Sequence, residues 1–142
     1  QRQMCIRDSI GPCLAKRHEA DSVDEVDYVM SFEELGAFMV AYDIDVANCS
    51  EKELNHEVTK YGRGFAQAGG VQAAVVNAIG DKYSNIHIEG LDKKNQALLK
   101  SMAKKPDAQF VEVMACDGGC INGPCSLAPL TLAKRQIKKV LE

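Results

Sequence analysis

The sequence predicts an α/β fold, a mostly parallel sheet flanked by helices. Three observations carry this. Short apolar runs alternate with stretches of three- and four-residue apolar spacing. Helix-start signals follow directly on two of the apolar runs. The last run opens into a loop dense in cysteine and glycine. Repeated strand–helix alternation favours parallel strands covered by helices.

Val26–Met30 reads as the first full strand, and Ser31 with Glu34 forms a capping box. The helix it opens carries Leu35, Phe38, Met39 and Val40 on its apolar positions. Residues 43–50 read as a loop, and Ser50 to Glu53 as the start of a short helix. Gly62, Gly64, Gly69 and Gly70 form a glycine-rich loop that runs into a buried helix over 71–79, capped by Gly80. Residues 86–90 alternate like a strand. Asp92 caps a helix through Leu98, Leu99 and Met102 that stops before Pro106. Residues 109–114 form another strand, and a last helix starts near Pro129 and runs to Leu141.

The chain has 142 residues, enough for one compact domain or a large piece of one. That length and an apolar share of 46% predict a core formed without metal or disulfide staples. A net charge of −3 and a pI near 5.6 argue against a nucleic-acid partner. The basic run from Ala133 to Lys139 reads as a solvated helix face that complements the helix dipole. No run of about eighteen apolar residues is present, which argues against a membrane span. Six cysteines without a visible secretory signal predict a reducing compartment, where clustered cysteines bind metal or do redox chemistry.

Residues 1–9 show no period and no capping logic, and they join abruptly to Ile10-Gly11-Pro12-Cys13, which reads as the exit of a buried strand. This nonamer resembles translated sequencing adapter. It is expected to be non-native or a disordered N-terminus, and Cys5 carries no functional weight.

Chemistry concentrates in two places. Cys116-Asp117-Gly118-Gly119-Cys120 sets two cysteines four apart across a Gly-Gly loop at a strand end, with Cys125 beyond. Glycines let the backbone approach a cluster closely and turn N–H groups toward sulfur. Thiolate is the soft ligand of iron–sulfur clusters. The loop supplies too few ligands alone, so a second segment must contribute. Zinc lacks the second close Cys or His pair it needs, and a Cys116–Cys120 redox disulfide lacks the tighter Cys-x-x-Cys spacing. The second place is Pro12-Cys13-Leu14-Ala15-Lys16-Arg17-His18-Glu19. A lysine beside a thiolate lowers its pKa and can hydrogen-bond an anion. A core cysteine next to a surface lysine is the plainer reading of the same residues.

These segments resemble those of the FeFe (iron-only) hydrogenases. Residues 12–19 resemble the family's second signature, Met-Pro-Cys-x-x-Lys-x-x-Glu. Residues 112–123 resemble the third, Glu-x-Met-Ala-Cys-x-x-Gly-Cys-x-x-Gly. Between them, residues 27–35 are similar to the family's strand-to-helix step and Phe65 to Val71 to its glycine loop. The resemblance covers residues 10–142 in the right order, and it makes the fold a partial FeFe-hydrogenase catalytic domain.

The resemblance implies that Cys13 and Cys116 ligate a 4Fe–4S cubane. Cys120 then bridges the cubane to a di-iron subsite carrying carbonyl and cyanide ligands, the pair forming the H-cluster. It implies that Lys16 donates to a cyanide, that Met114 and Phe65 line the di-iron pocket, and that Glu19 belongs to its polar shell. It implies reversible reduction of protons to dihydrogen, a ferredoxin or ferredoxin-like electron partner, maturation enzymes, and the cytoplasm of an anaerobic bacterium. A hydrogenase-like iron–sulfur assembly or sensor protein, without hydrogen turnover, is the alternative.

Gly11 stands where many members have Met, Asp117 replaces a common Pro, and Asn122-Gly123-Pro124-Cys125 replaces Gly-Gly-Gly-Gln-Pro. These departures are similar to a ferredoxin-linked monomeric branch. Nothing matches the first signature, Thr-Ser-Cys-Cys-Pro, which supplies the fourth cubane ligand and a proton-shuttling cysteine. The chain is therefore expected to be a fragment of a longer reading frame, inactive alone. Cys125 reads as a core cysteine or an auxiliary ligand. Cys49 reads as a packed or surface thiol, and His18, His56 and His87 as surface or strand residues. Asp43 and Asp45 lack the rest of a calcium loop.

Overall fold

Strand β1 (Asp8–Ile10) pairs in parallel with β2 (Tyr28–Met30), with Ser9 opposite Val29. Helix α1 (Ala15–Ala20) makes the crossover between them. In the computed structural model, residues 6–53 and 58–142 are described. They fall into two units, one of residues 6–53 with 123–127 and one of 58–122 with 128–142.

In the first unit, Ser31 starts α2 (Phe32–Ala41) through the capping box the sequence specifies. The Glu34 amide donates to Ser31 Oγ at 3.2 Å, and the Ser31 amide donates to Glu34 Oε2 at 2.8 Å. Arg17 on α1 donates to both Glu34 oxygens at 2.7 and 2.6 Å. One carboxylate thus fixes the start of α2 and ties α1 to it. Strand β1 reaches back to Asp8, two residues into the segment read as non-native or disordered. Ile10 is not at a buried strand exit as expected, since it stays 46% exposed. The short helix expected from Ser50 is absent among the described residues. A 3₁₀ turn comes earlier, at Val46–Asn48, because the Asp45 side chain accepts from the Ala47 amide and caps there. Cys5 and His56 lie outside the described residues.

The second unit begins with α3 (Lys60–Arg63) and a 3₁₀ turn (Gly64–Ala66). Helix α4 (Gly70–Ile79) follows, with Gly69 as its N-cap and Gly80 at φ 83° ending it. Strand β3 (Asn85–Glu89) pairs in parallel with β4 (Phe110–Met114) across α5 (Lys93–Met102), whose Asp92 cap accepts from the Asn95 amide. Helix α6 (Leu130–Leu141) ends the chain. Both strand pairs are parallel, which meets the expected fold class, but they form two two-stranded sheets among the described residues.

The core is thinner than the length suggests. Among the described residues, Ile88 and Met102 are the buried large apolar residues, and Ser31 and Glu112 are the buried polar ones. Helix α4, expected to be buried, buries only Gly70, and Ile79 is 53% exposed. The reason is geometric: each two-stranded sheet offers too little area to cover a helix on more than one face.

The capping box gives a pH dependence. The Ser31 backbone N–H, then the Arg17 guanidinium, then the Ser31 hydroxyl hold the Glu34 carboxyl below its ordinary 4.5. The folded state binds that proton less readily than the unfolded state. The contribution is therefore present above pH 4.5 and is lost as pH falls through the lower folded value. In denaturant titrations, Glu34→Gln should be less stable than wild type at neutral pH, and the difference should shrink below 4.5. A pH-independent difference would contradict this.

Candidate metal-cluster loops

The loop after β4 is built by a chain of contacts that starts at a buried carboxylate. Glu112 is 5% exposed on β4. Its Oε1 accepts from the Gly69 amide at 3.1 Å and its Oε2 from the Gln72 amide at 2.7 Å. These are N–H groups at the N-terminus of α4 that the helix itself cannot satisfy. The negative charge also complements the positive end of the helix dipole. Glu112 thereby pins the glycine loop to the sheet. Strand alternation puts Glu112 and Met114 on one face, opposite His87 and Glu89 in register.

Next to Glu89, the loop is tied again. Glu89 Oε2 accepts from the Gly118 amide at 2.8 Å, and the Ala68 amide donates to the Gly118 carbonyl at 3.3 Å. The approach of the two loops leaves no room for side chains. A Cβ on Gly119 would lie 2.5 Å from the Ala68 nitrogen and 2.9 Å from the Ala66 oxygen. Gly119 also sits at φ 86°, where L residues are strained. A Cβ on Gly118 would lie 2.8 Å from Leu130 Cδ1.

These glycines act differently from the expectation. Their amides do not point at sulfur: Gly118 donates to Glu89, and Gly119 donates to the Cys116 carbonyl at 3.1 Å. Close backbone packing is what requires them. Glu112 lies in the third-signature segment and Glu89 in the strand before it, and the sequence alone assigns neither a role. An acidic residue inside an apolar strand run was the available signal for Glu112.

Cys116 and Cys120 are thus brought onto one loop at the carboxyl end of a parallel strand, both half-buried thiols outside any disulfide. Ligand sites in α/β sheets lie at such strand ends. Cys120 opens a 3₁₀ turn (Cys120–Asn122), and Asn122 Nδ2 braces the loop by donating to the Asp117 carbonyl at 2.9 Å. Met114 is half-buried at the end of β4, and Phe65 is 48% exposed in the turn before α4.

Cys13 lies in the first unit, half-buried between β1 and α1 and likewise at a parallel strand's carboxyl end. Lys16 Nζ pairs with Glu19 Oε2 at 2.6 Å, both side chains about half exposed. The Cys125 amide donates to the Pro12 carbonyl at 3.1 Å, which brings Cys125 beside Cys13. Among the described residues, no three Cys, His, Asp or Glu side chains gather into a metal-holding group.

Other candidates resolve simply. Cys49 is an exposed thiol that donates to the Asp45 carbonyl, His18 is exposed, and His87 Nδ1 lies 3.0 Å from Gln72 Oε1. The Asp45 carboxylate serves the turn at Val46. No helix among the described residues is long and apolar enough to cross a membrane.

Comparison with known proteins adds four findings. Residues 2–124 match the family described as iron only hydrogenase large subunit, C-terminal domain. The chain is 26% identical over 175 aligned residues to iron hydrogenase 1 of Clostridium pasteurianum, covering 93% of this chain and 30% of that protein. It resembles an FeFe-hydrogenase structure from Chlamydomonas reinhardtii with a TM-score of 0.59 at 18% identity, covering 93% of this chain and 52% of that one. A structure concerned with oxygen inactivation of FeFe-hydrogenase gives 0.62 at 17% identity, with 96% and 52% covered. At those identities the two structures establish the fold. The chain spans about half the length of the solved chains it matches.

Two substitutions test the loop geometry. Gly119→Ala combines a backbone clash with a left-handed conformation and should cost roughly 2–6 kcal/mol. Glu112→Gln keeps the shape but turns one acceptor into a donor facing an N–H, and should cost about 1–3 kcal/mol. Shifts in denaturation midpoint report both. An unchanged midpoint for either would refute its part.

Proposed function

From the premise that this chain belongs to the family formed by the C-terminal domain of iron-only hydrogenase large subunits, we propose that it carries part of the catalytic centre of an FeFe-hydrogenase. In the full-length protein the reaction is the reversible reduction of protons to dihydrogen, with a ferredoxin or ferredoxin-like domain as electron partner. Its setting is the cytoplasm of an anaerobe, and maturation enzymes deliver the di-iron unit. The observation that carries the reading is the Cys116–Cys120 loop, presented at the end of β4 and clasped to the glycine loop by Gly118 and Gly119.

The residues present fit an iron–sulfur group. Half-buried thiols at two strand ends are soft donors, sheltered enough to limit hydrolysis yet reachable for loading. Cys13 and Cys116 would hold the cubane, and Cys120 would bridge it to the di-iron unit. When bound, that group supplies the electrons and the metal site at which hydrogen chemistry occurs.

The protein's own part is ligation, placement and charge. Lys16 stands one helical turn past Cys13, where its ammonium can donate to an anionic ligand. Its pairing with Glu19 restrains it little, since exposed ion pairs contribute about 0–1 kcal/mol. Lys16 would then be shared between Glu19 and that anion. Met114 and Phe65 would supply the apolar lining, excluding water beside the di-iron unit.

The chain alone is one cubane ligand short and should be inactive and aggregation-prone.

In the restored full-length enzyme, Cys120→Ser should abolish hydrogen evolution. Lys16→Ala should lower it about 100-fold or more, the effect of an unpaired buried anion costing ~3 kcal/mol. Near-normal gas-chromatographic evolution by matured Cys120→Ser protein would overturn the bridging role. The chain alone, reconstituted anaerobically and given reduced viologen, should evolve no more hydrogen than a metal-free control. Sustained evolution above that control would overturn the reading of an incomplete site.

A further inference from the structure

Cys125 has no part in the proposed chemistry, yet the fold holds it in a defined place. Gly123-Pro124-Cys125-Ser126 is a hydrogen-bonded turn, the Ser126 amide donating to the Gly123 carbonyl at 3.0 Å. Pro124 occupies the second turn position, where its fixed φ suits the bend. The turn presents the Cys125 amide to the Pro12 carbonyl at 3.1 Å. Cys13 follows that carbonyl directly. Standard backbone dimensions then confine the two Cα atoms to within about 7 Å of each other. Disulfides bridge Cα separations of about 4.4–6.8 Å. Both thiols are half-buried, so each is accessible to a small oxidant while shielded from larger ones.

We propose that Cys13 and Cys125 form a reversible disulfide in the cluster-free chain, which withholds Cys13 until the protein is reduced. The oxidant is a low-molecular-weight disulfide. The thiolate of one cysteine attacks a sulfur of that disulfide, one small thiolate leaves, and a mixed disulfide forms. The second cysteine thiolate attacks the mixed disulfide, the Cys13–Cys125 bond forms, and the second small thiolate leaves. Two protein thiols lose two electrons and two protons, and the oxidant becomes two thiols. The pair protects Cys13 from irreversible oxidation, because a disulfide is restored by reductant and a sulfinic acid is not. That this controls cluster loading rests on the reading of Cys13 as a cubane ligand, but the disulfide itself does not.

The test exposes the reduced, metal-free chain to glutathione disulfide under argon, then alkylates, digests and maps linked peptides by mass spectrometry. The Cys13–Cys125 peptide should exceed every other pair by on the order of tenfold, reflecting local effective concentration. In Cys125→Ser, Cys13 should stop at the mixed disulfide with glutathione, because no second thiol is placed to displace it. If oxidation accumulates in Cys116–Cys120 or in random pairs while Cys13 and Cys125 stay alkylatable, the proposal is wrong. A second arm adds iron and sulfide to oxidised and reduced chains. Oxidised wild type should bind less iron than reduced, and reducing the oxidised chain with dithiothreitol should restore the uptake. If the Cys13–Cys125 bond forms and iron uptake is undiminished, the disulfide stands and the cubane role of Cys13 falls.

Discussion

The Glu112 carboxylate organises the second unit. Its two oxygens take two amides of the α4 N-terminus, so the glycine loop cannot move independently of β4. A buried charge is costly unless it is fully hydrogen-bonded and set against a compensating dipole. Glu112 meets both conditions. Once the glycine loop is fixed, the loop after β4 can approach it only where side chains are missing, at Gly118 and Gly119. The backbone between Cys116 and Cys120 is held by that approach. The same device works in the first unit, where Glu34 joins Ser31 and Arg17.

Carboxylates take this burden because the apolar core is small. With few buried apolar side chains, hydrophobic area cannot lock the elements, and directional bonds to backbone amides set the geometry instead. Such bonds constrain angle as well as distance. They suit a loop whose backbone must keep a fixed course.

Much of the fold was legible because its signals are local. Ser31/Glu34, Asp92 and Gly80 each act within a few residues, and each caps the helix it marks. The parallel pairing followed from strand–helix alternation. What was not legible depends on distant partners. The role of Glu112 requires α4 forty residues away, and the need for Gly119 requires the Ala68 backbone. The burial assigned to β1 and α4 failed for the opposite reason: apolar sequence specifies a preference for cover but not the element that provides it. The cysteine motifs were plain in sequence, yet nothing in their spacing linked Cys125 to Pro12.

The central proposal is that Cys13 and Cys116, far apart in sequence, would serve one cubane. Electron paramagnetic resonance of the anaerobically reconstituted, reduced chain tests it most directly, comparing Cys13→Ser, Cys116→Ser and Cys49→Ser with wild type. The account predicts that either of the first two alters or abolishes the cluster signal and that Cys49→Ser, which changes an exposed thiol, leaves it intact. A wild-type signal from Cys13→Ser, or a loss of signal from Cys49→Ser, would contradict it.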